Sequence, residues 1–382
     1  MEDKSLIPSH PSQPPKPLTP RVVAWETTRA CPLACIHCRA EAQHHPDPAQ
    51  LTTAEGFALL KDIASMGGPT VLILTGGEPL TRPDIFDLAE FGSGQGLYMA
   101  ISPDDGRLLT PETVARLKRC GIQRVSFSLH YPDAEENDYF ARTPGAFAAA
   151  MQGLANLREG GLPFQINTTV TARNADRLPR MYDLVRGLEP ATWDLFFLIP
   201  TGRARMLRSD EMPPEEYERT LNWLYDLQKS SPLTVKQTCA PHFRRIERQR
   251  AKAEGGDGRN SPTASGPFAS ADYSRRHSAG SRGCMSGNGF AFVSHVGEVN
   301  GCGYLPLAAG NVRQQPFSEI YRNSPLFAGL RDADRLGGKC GACEYKQLCG
   351  GCRARAYADS GDCLGEEPYC VYEPVQKASP RP

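Results

Sequence analysis

The chain has 382 residues, enough for two or three domains at roughly 150 residues each. Its 43 basic and 43 acidic residues cancel, which removes any charge argument for a nucleic-acid partner or an anionic membrane surface. Hydrophobic residues make up 40%, and no run of about eighteen apolar residues could cross a bilayer. The opening MEDKSLIPSHPSQPPKPLTP has no apolar core, so no secretory signal is expected and a cytoplasmic setting is. In that reducing environment 13 cysteines are expected to bind metal rather than to cross-link.

Residues 1–20, with six prolines, read as a flexible arm. From Arg21 onward β-rich and helical stretches alternate. Strands are expected at Val22–Trp25, Val71–Leu74, Tyr98–Ile101, Arg124–Leu129, Phe164–Val170 and Trp193–Ile199. Amphipathic helices are expected near 53–66, 83–91, 111–119, 145–159, 175–188 and 214–228, the first opened by a capping box at Thr52–Glu55. Strand–helix alternation implies a parallel sheet. Six units suit an open, partial barrel over residues 21–230, with its chemistry at the C-terminal strand ends. Residues 231–283 read as a linker or lid, with a Gly-, Ser- and Arg-rich second half. Residues 284–375 are short-patterned and Cys-rich, so metal ligation is expected to supply folding energy there; 376–382 form a tail. The fold class is therefore α/β, a partial (β/α)6 barrel followed by a small Cys-rich iron–sulfur domain.

Directly after the first strand, Cys31, Cys35 and Cys38 have the spacing C-x3-C-x2-C. Three thiolates in one loop can hold three irons of a [4Fe–4S] cluster and leave the fourth open. Zinc is the rival, with His37 or His44 as fourth ligand. The second strand ends in Gly76-Gly77-Glu78-Pro79, where paired glycines admit close backbone approach and Glu78 adds a carboxylate at the same rim.

The cysteine triad, this GGEP turn and the six β/α units together resemble the radical S-adenosylmethionine superfamily. The resemblance implies that Cys31, Cys35 and Cys38 ligate a [4Fe–4S] cluster whose open iron chelates S-adenosylmethionine. It also implies that Gly76, Gly77 and Glu78 contact the methionine moiety, that His37 lies near the adenine, and that Ser128 makes a polar cofactor contact.

The second cysteine field runs Cys284-x12-Gly297-x4-Cys302, then Cys340-x2-Cys343-x5-Cys349-x2-Cys352, then Cys370. Cysteine arithmetic alone leaves two zincs open. The pattern resembles the SPASM extension of many radical enzymes, with Cys349 and Cys352 one residue closer than usual. By that resemblance Cys340, Cys343, Cys349 and Cys370 bind an outer auxiliary [4Fe–4S] cluster. Cys284, Cys302 and Cys352 bind an inner one, whose fourth ligand is Cys363, Cys239 or an open site. Cys120 reads as an ordinary buried thiol. Arg203 and Arg205 are placed to grip a carboxylate or to form a solvated loop, and Arg244, Arg245, Arg248 and Arg250 read as a solvated basic face.

The expected function is oxidative modification of a substrate through a 5′-deoxyadenosyl radical. The first expectation is a ribosomal peptide or peptide-derived redox cofactor as substrate; the alternative is tetrapyrrole side-chain tailoring, and the second alternative a non-catalytic electron carrier. A flavodoxin- or ferredoxin-type donor is the expected reductant.

Overall fold

In the computed structural model, residues 18–255 and 283–375 are described. The expected tail, most of the Pro-rich arm and the Gly/Ser-rich half of the linker lie outside them. Ten strands form one sheet in the order β10-β9-β8-β1-β2-β3-β4-β5-β6-β7. The first six are β1 (Val22–Thr28), β2 (Val71–Gly76), β3 (Tyr98–Ile101), β4 (Ile122–Ser128), β5 (Phe164–Val170) and β6 (Thr192–Phe197), all mutually parallel. Parallel neighbours require crossovers, and helices supply them. They are α1 (Thr53–Ser65), α2 (Ile85–Gly94), α3 (Pro111–Arg119), α4 (Ala134–Ala141), α5 (Ala146–Glu159), α6 (Leu178–Leu188) and α7 (Pro214–Ser230).

The strands are covered on both faces, which is why runs such as Val71-Leu-Ile-Leu74 are continuously apolar. Trp25, Leu72, Phe127 and Trp193 are completely buried in the resulting core. Thr52 caps α1 with the expected reciprocal box: its hydroxyl accepts from Glu55 N and the Glu55 carboxylate accepts from Thr52 N. Cys120 is a buried thiol, donating to Leu117 O at 3.2 Å.

Two features depart from the expected division of the chain. The first part of 231–283 is regular structure: β7 (Val235–Thr238) extends the sheet beyond β6, and α8 (Phe243–Ala253) packs on α7. The basic run on α8 is largely paired within the chain rather than solvated. Arg245 is buried against Glu218 (2.5 Å), Arg244 reaches Glu247 (2.7 Å), and Arg250 reaches Asp226 (2.6 Å). The amphipathic helix turns Arg245 inward, where an uncompensated charge would be costly and Glu218 supplies the partner.

The Cys-rich region is also joined to the barrel sheet. Its β8 (Phe290–Val293) pairs in parallel with β1, and β9 (Glu298–Asn300) and β10 (Ala308–Asn311) follow antiparallel. His295, just beyond β8, places its ring between Glu26 of β1 (2.8 Å) and Asp47 (3.1 Å). Among the described residues, no helix is long and apolar enough to cross a membrane.

Candidate active site and cluster sites

The segment after β1 runs out and returns on itself, with Cys31 N donating to Gln43 O (2.8 Å) and Gln43 N to Arg29 O (2.9 Å). This brings Cys31, Cys35 and Cys38 into one packed group with Leu33 and Ala42. Backbone N–H groups point at the sulfurs: Leu33 N at Cys31 Sγ (3.4 Å) and Ala42 N at Cys38 Sγ (3.5 Å). Donors of that kind stabilise negative charge on cluster-ligating thiolates. Burial pushes the Cys31 thiol up to about 12 and that of Cys35 further, so deprotonation there calls for a metal's positive charge.

Arg203 sits against this loop rather than being free for a substrate carboxylate. Its N donates to Cys38 O (3.0 Å), Nε to Cys35 O (2.9 Å) and Nη1 to Ala42 O (2.9 Å), leaving a buried Nη2 with no partner. Arg205 is exposed. The planar fork suits several carbonyls at once, which is why the residue after Gly202 clamps a loop more than 160 positions away in the chain.

At the end of β2, Gly77 N donates to Thr28 O (2.8 Å) and Glu78 N to Ala30 O (2.7 Å). A Cβ on Gly77 would stand 2.4 Å from Ala30 O, so only glycine lets the two strand ends meet. The buried Glu78 carboxylate accepts from Asp104 N (2.8 Å), Asp105 N (2.9 Å) and Leu80 N (3.0 Å). It therefore braces β2 against the loop after β3. Burial raises its pKa while those N–H groups lower it. Asp104, which the sequence reading passed over, accepts from Ser128 N (3.1 Å) and lies close enough to raise the Cys31 and Cys35 thiols. Its own carboxyl is pushed up to about 6 by burial, against hydrogen bonds from Ser128. The Pro103-Asp-Asp105 run at a strand end was its only signal.

His37 packs as an aromatic. Its ring stacks on Phe140 (4.4 Å, 16°) and meets His130 edge-on (4.4 Å, 72°), and burial lowers it to about 3. His44 is exposed.

All thirteen cysteines are free thiols. Cys340, Cys343, Cys349 and Cys370 line a single cavity together with His242 and Glu367. Three of the sulfurs receive backbone N–H groups: Cys340 from Glu367 (3.3 Å), Cys343 from Tyr345 (3.4 Å) and Cys349 from Gly351 (3.4 Å). Four sulfurs around one space, with donors already aimed at three, fit a [4Fe–4S] cluster. The short Cys349–Cys352 spacing is accommodated by Gly350 and Gly351, both left-handed (φ +75° and +61°), which turn Cys352 away from this cavity.

Cys352 instead lies beside Cys239. That contact lowers Cys352 and raises Cys239. Cys284 and Cys302 are near enough to interact with the pair electrostatically. Cys239, at left-handed φ +63°, is held by Tyr217 Oη (2.9 Å) and Arg355 (3.1 Å), both donating to its carbonyl. Cys363 has Asp362, Arg353 and Arg335 as its charged neighbours.

A family model described as the radical SAM superfamily matches residues 25–185, and the SPASM model, described as an iron-sulfur cluster-binding domain, matches 284–353. An AdoMet-dependent heme synthase of Methanosarcina barkeri is 47% identical over 94% of this chain and 98% of its own. A PqqA peptide cyclase of Gluconobacter oxydans is 28% identical over 94% and 92%. The crystal structure of Streptococcus suis SuiB bound to S-adenosylmethionine shares the fold, with TM-score 0.68, 16% identity, and coverage of 93% of this chain and 78% of that one. The open parallel barrel, the cysteine loop at its rim and the Cys-rich extension place this chain in the radical SAM superfamily, as an enzyme with a SPASM iron–sulfur domain.

Proposed function

We propose that this enzyme completes a heme-type tetrapyrrole, acting on the carboxylate side chains of an iron–porphyrin precursor. The observation that carries this reading is the 47% identity to an AdoMet-dependent heme synthase along nearly the whole of both chains, against 28% to the peptide cyclase. The tetrapyrrole alternative thus takes precedence over the peptide substrate expected first. Arg203 spends Nε and Nη1 of its guanidinium on the cysteine loop.

In this reading Cys31, Cys35 and Cys38 would hold a [4Fe–4S] cluster, which would supply the electron for reductive cleavage of S-adenosylmethionine. Gly76 and Gly77 present backbone to the methionine moiety, and Glu78 keeps that strand end in place through its three N–H contacts. Ser128, beside Asp104, is the polar contact on β4. Cys239, Cys284, Cys302 and Cys352 hold the inner auxiliary cluster, and Cys340, Cys343, Cys349 and Cys370 the outer one. The reductant is a flavodoxin- or ferredoxin-type protein.

The test is anaerobic incubation of reconstituted protein with S-adenosylmethionine, dithionite and iron-coproporphyrin III. Appearance of heme by chromatography, dependent on Cys31, Cys35 and Cys38, supports the reading. Uncoupled 5′-deoxyadenosine with unchanged porphyrin, and turnover of a peptide instead, would return the peptide substrate to first place.

A further inference from the structure

His242 opens α8 three residues after Cys239, and only 1% of its surface is exposed. Its ring lies against Tyr217 at 4.6 Å, and Tyr217 Oη in turn holds the Cys239 carbonyl at 2.9 Å. Neither ring nitrogen has a hydrogen-bond partner in the protein. An imidazole carries at least one N–H donor, and buried polar groups are rarely left unpaired.

The same ring forms part of the wall of the cavity lined by Cys340, Cys343, Cys349 and Cys370. The remaining wall contributes backbone N–H groups, Arg245 and Lys339, which are donors, and the Glu367 carboxylate, which is engaged by Cys352 N and Arg355. The imidazole makes no hydrogen bond to any group of that wall, and the sulfurs of a bound cluster would be acceptors within it.

We propose that His242 is a positioning residue for the outer auxiliary cluster, its ring N–H donating a hydrogen bond to a cluster or thiolate sulfur and raising that cluster's reduction potential. The inference rests on the outer-cluster reading of residues 340–370. A donor to sulfur stabilises the more negative, reduced state, so its removal makes reduction harder. Because the 239–242 turn also carries Cys239, one short segment then sets both auxiliary sites.

The experiment uses full-length protein grown on ¹⁵N-histidine, reduced anaerobically, with the outer-cluster EPR signal identified as the one lost in Cys340→Ala/Cys343→Ala. Pulsed EPR should show a weakly coupled ¹⁵N on that signal. His242→Phe should lose the coupling and move the midpoint to more negative potential with iron content unchanged, and His242→Gln, which keeps an N–H, should lie closer to wild type. No ¹⁵N coupling in the wild type, an unmoved potential in a fully loaded His242→Phe, or the strong coupling of a directly bonded nitrogen each overturns the proposal while leaving the cluster in place. Unchanged iron in Cys340→Ala/Cys343→Ala would remove the cluster reading itself, and this proposal with it.

Discussion

Arg355 and Glu367, both about 1% exposed, form an ion pair at the junction of barrel and extension: Arg355 Nη1 lies 3.2 Å from Glu367 Oε1. Arg355 also donates to the carbonyls of Leu198 (3.2 Å) and Cys239 (3.1 Å), which belong to the barrel side. Glu367 accepts from Cys352 N (2.7 Å) and sends its own N–H to Cys340 Sγ (3.3 Å). One buried pair therefore touches both cysteine quartets and the end of the sheet.

Removing one member leaves the other charge buried without its partner. Glu367→Gln is expected to lower the unfolding free energy by about 3–5 kcal/mol, and the double replacement Arg355→Met/Glu367→Gln to cost less than the sum of the single ones. Denaturant melts of the reconstituted proteins measure this; additive losses would mean the two side chains act separately.

Cys239, not Cys363, should complete the inner set. Cys239→Ser is expected to remove or convert one auxiliary cluster, seen as iron loss of up to about four per chain and a missing EPR component. Cys363→Ser should keep full iron. The reverse pattern would reassign the fourth ligand.

Arg203 should matter for cluster retention rather than for substrate affinity. Arg203→Ala removes the side-chain donors to Cys35 O and Ala42 O, and Arg203→Lys cannot replace a planar fork with one point donor. Both variants are expected to lose iron from the barrel cluster faster on chelator challenge and to form less 5′-deoxyadenosine. Normal iron retention with a raised substrate KM alone would point to a substrate contact.

Glu26 should appear in the acid limb of stability. Burial alone would raise its carboxyl, but Arg39 (2.8 Å), His295 and Arg29 win and bring it from the usual 4.5 to about 2. A depressed carboxylate contributes stability that is present above the unfolded pKa and lost as pH falls through the folded one. The contribution is on the order of 3 kcal/mol at neutral pH and should disappear between about pH 4.5 and 2. Glu26→Gln should be less stable at pH 7 and flatter across that window; equal slopes for both proteins would discard the assignment.

The sequence by itself determined the six strand–helix units, because apolar periodicity and the Thr52 cap are local properties written within a dozen residues. It also determined the cysteine triad and the GGEP turn, whose spacing within one loop constrains geometry directly. The paired C-x2-C knuckles were legible for the same reason, though whether Cys239 or Cys363 joined them was not. Only the tertiary structure sets Cys239 beside Cys352, from a segment more than a hundred positions earlier in the chain. The same holds for Arg203, which reads as a free cation at the cavity mouth until the cysteine loop is folded against it, and for Asp104, marked by little more than its place after a strand. The register of β8 beside β1, which brings His295 onto Glu26, joins residues 269 positions apart. Contacts at such separations depend on how packed layers close over one another, and that closure minimises exposed apolar area and unpaired charge for the whole chain at once, so no segment read alone contains it.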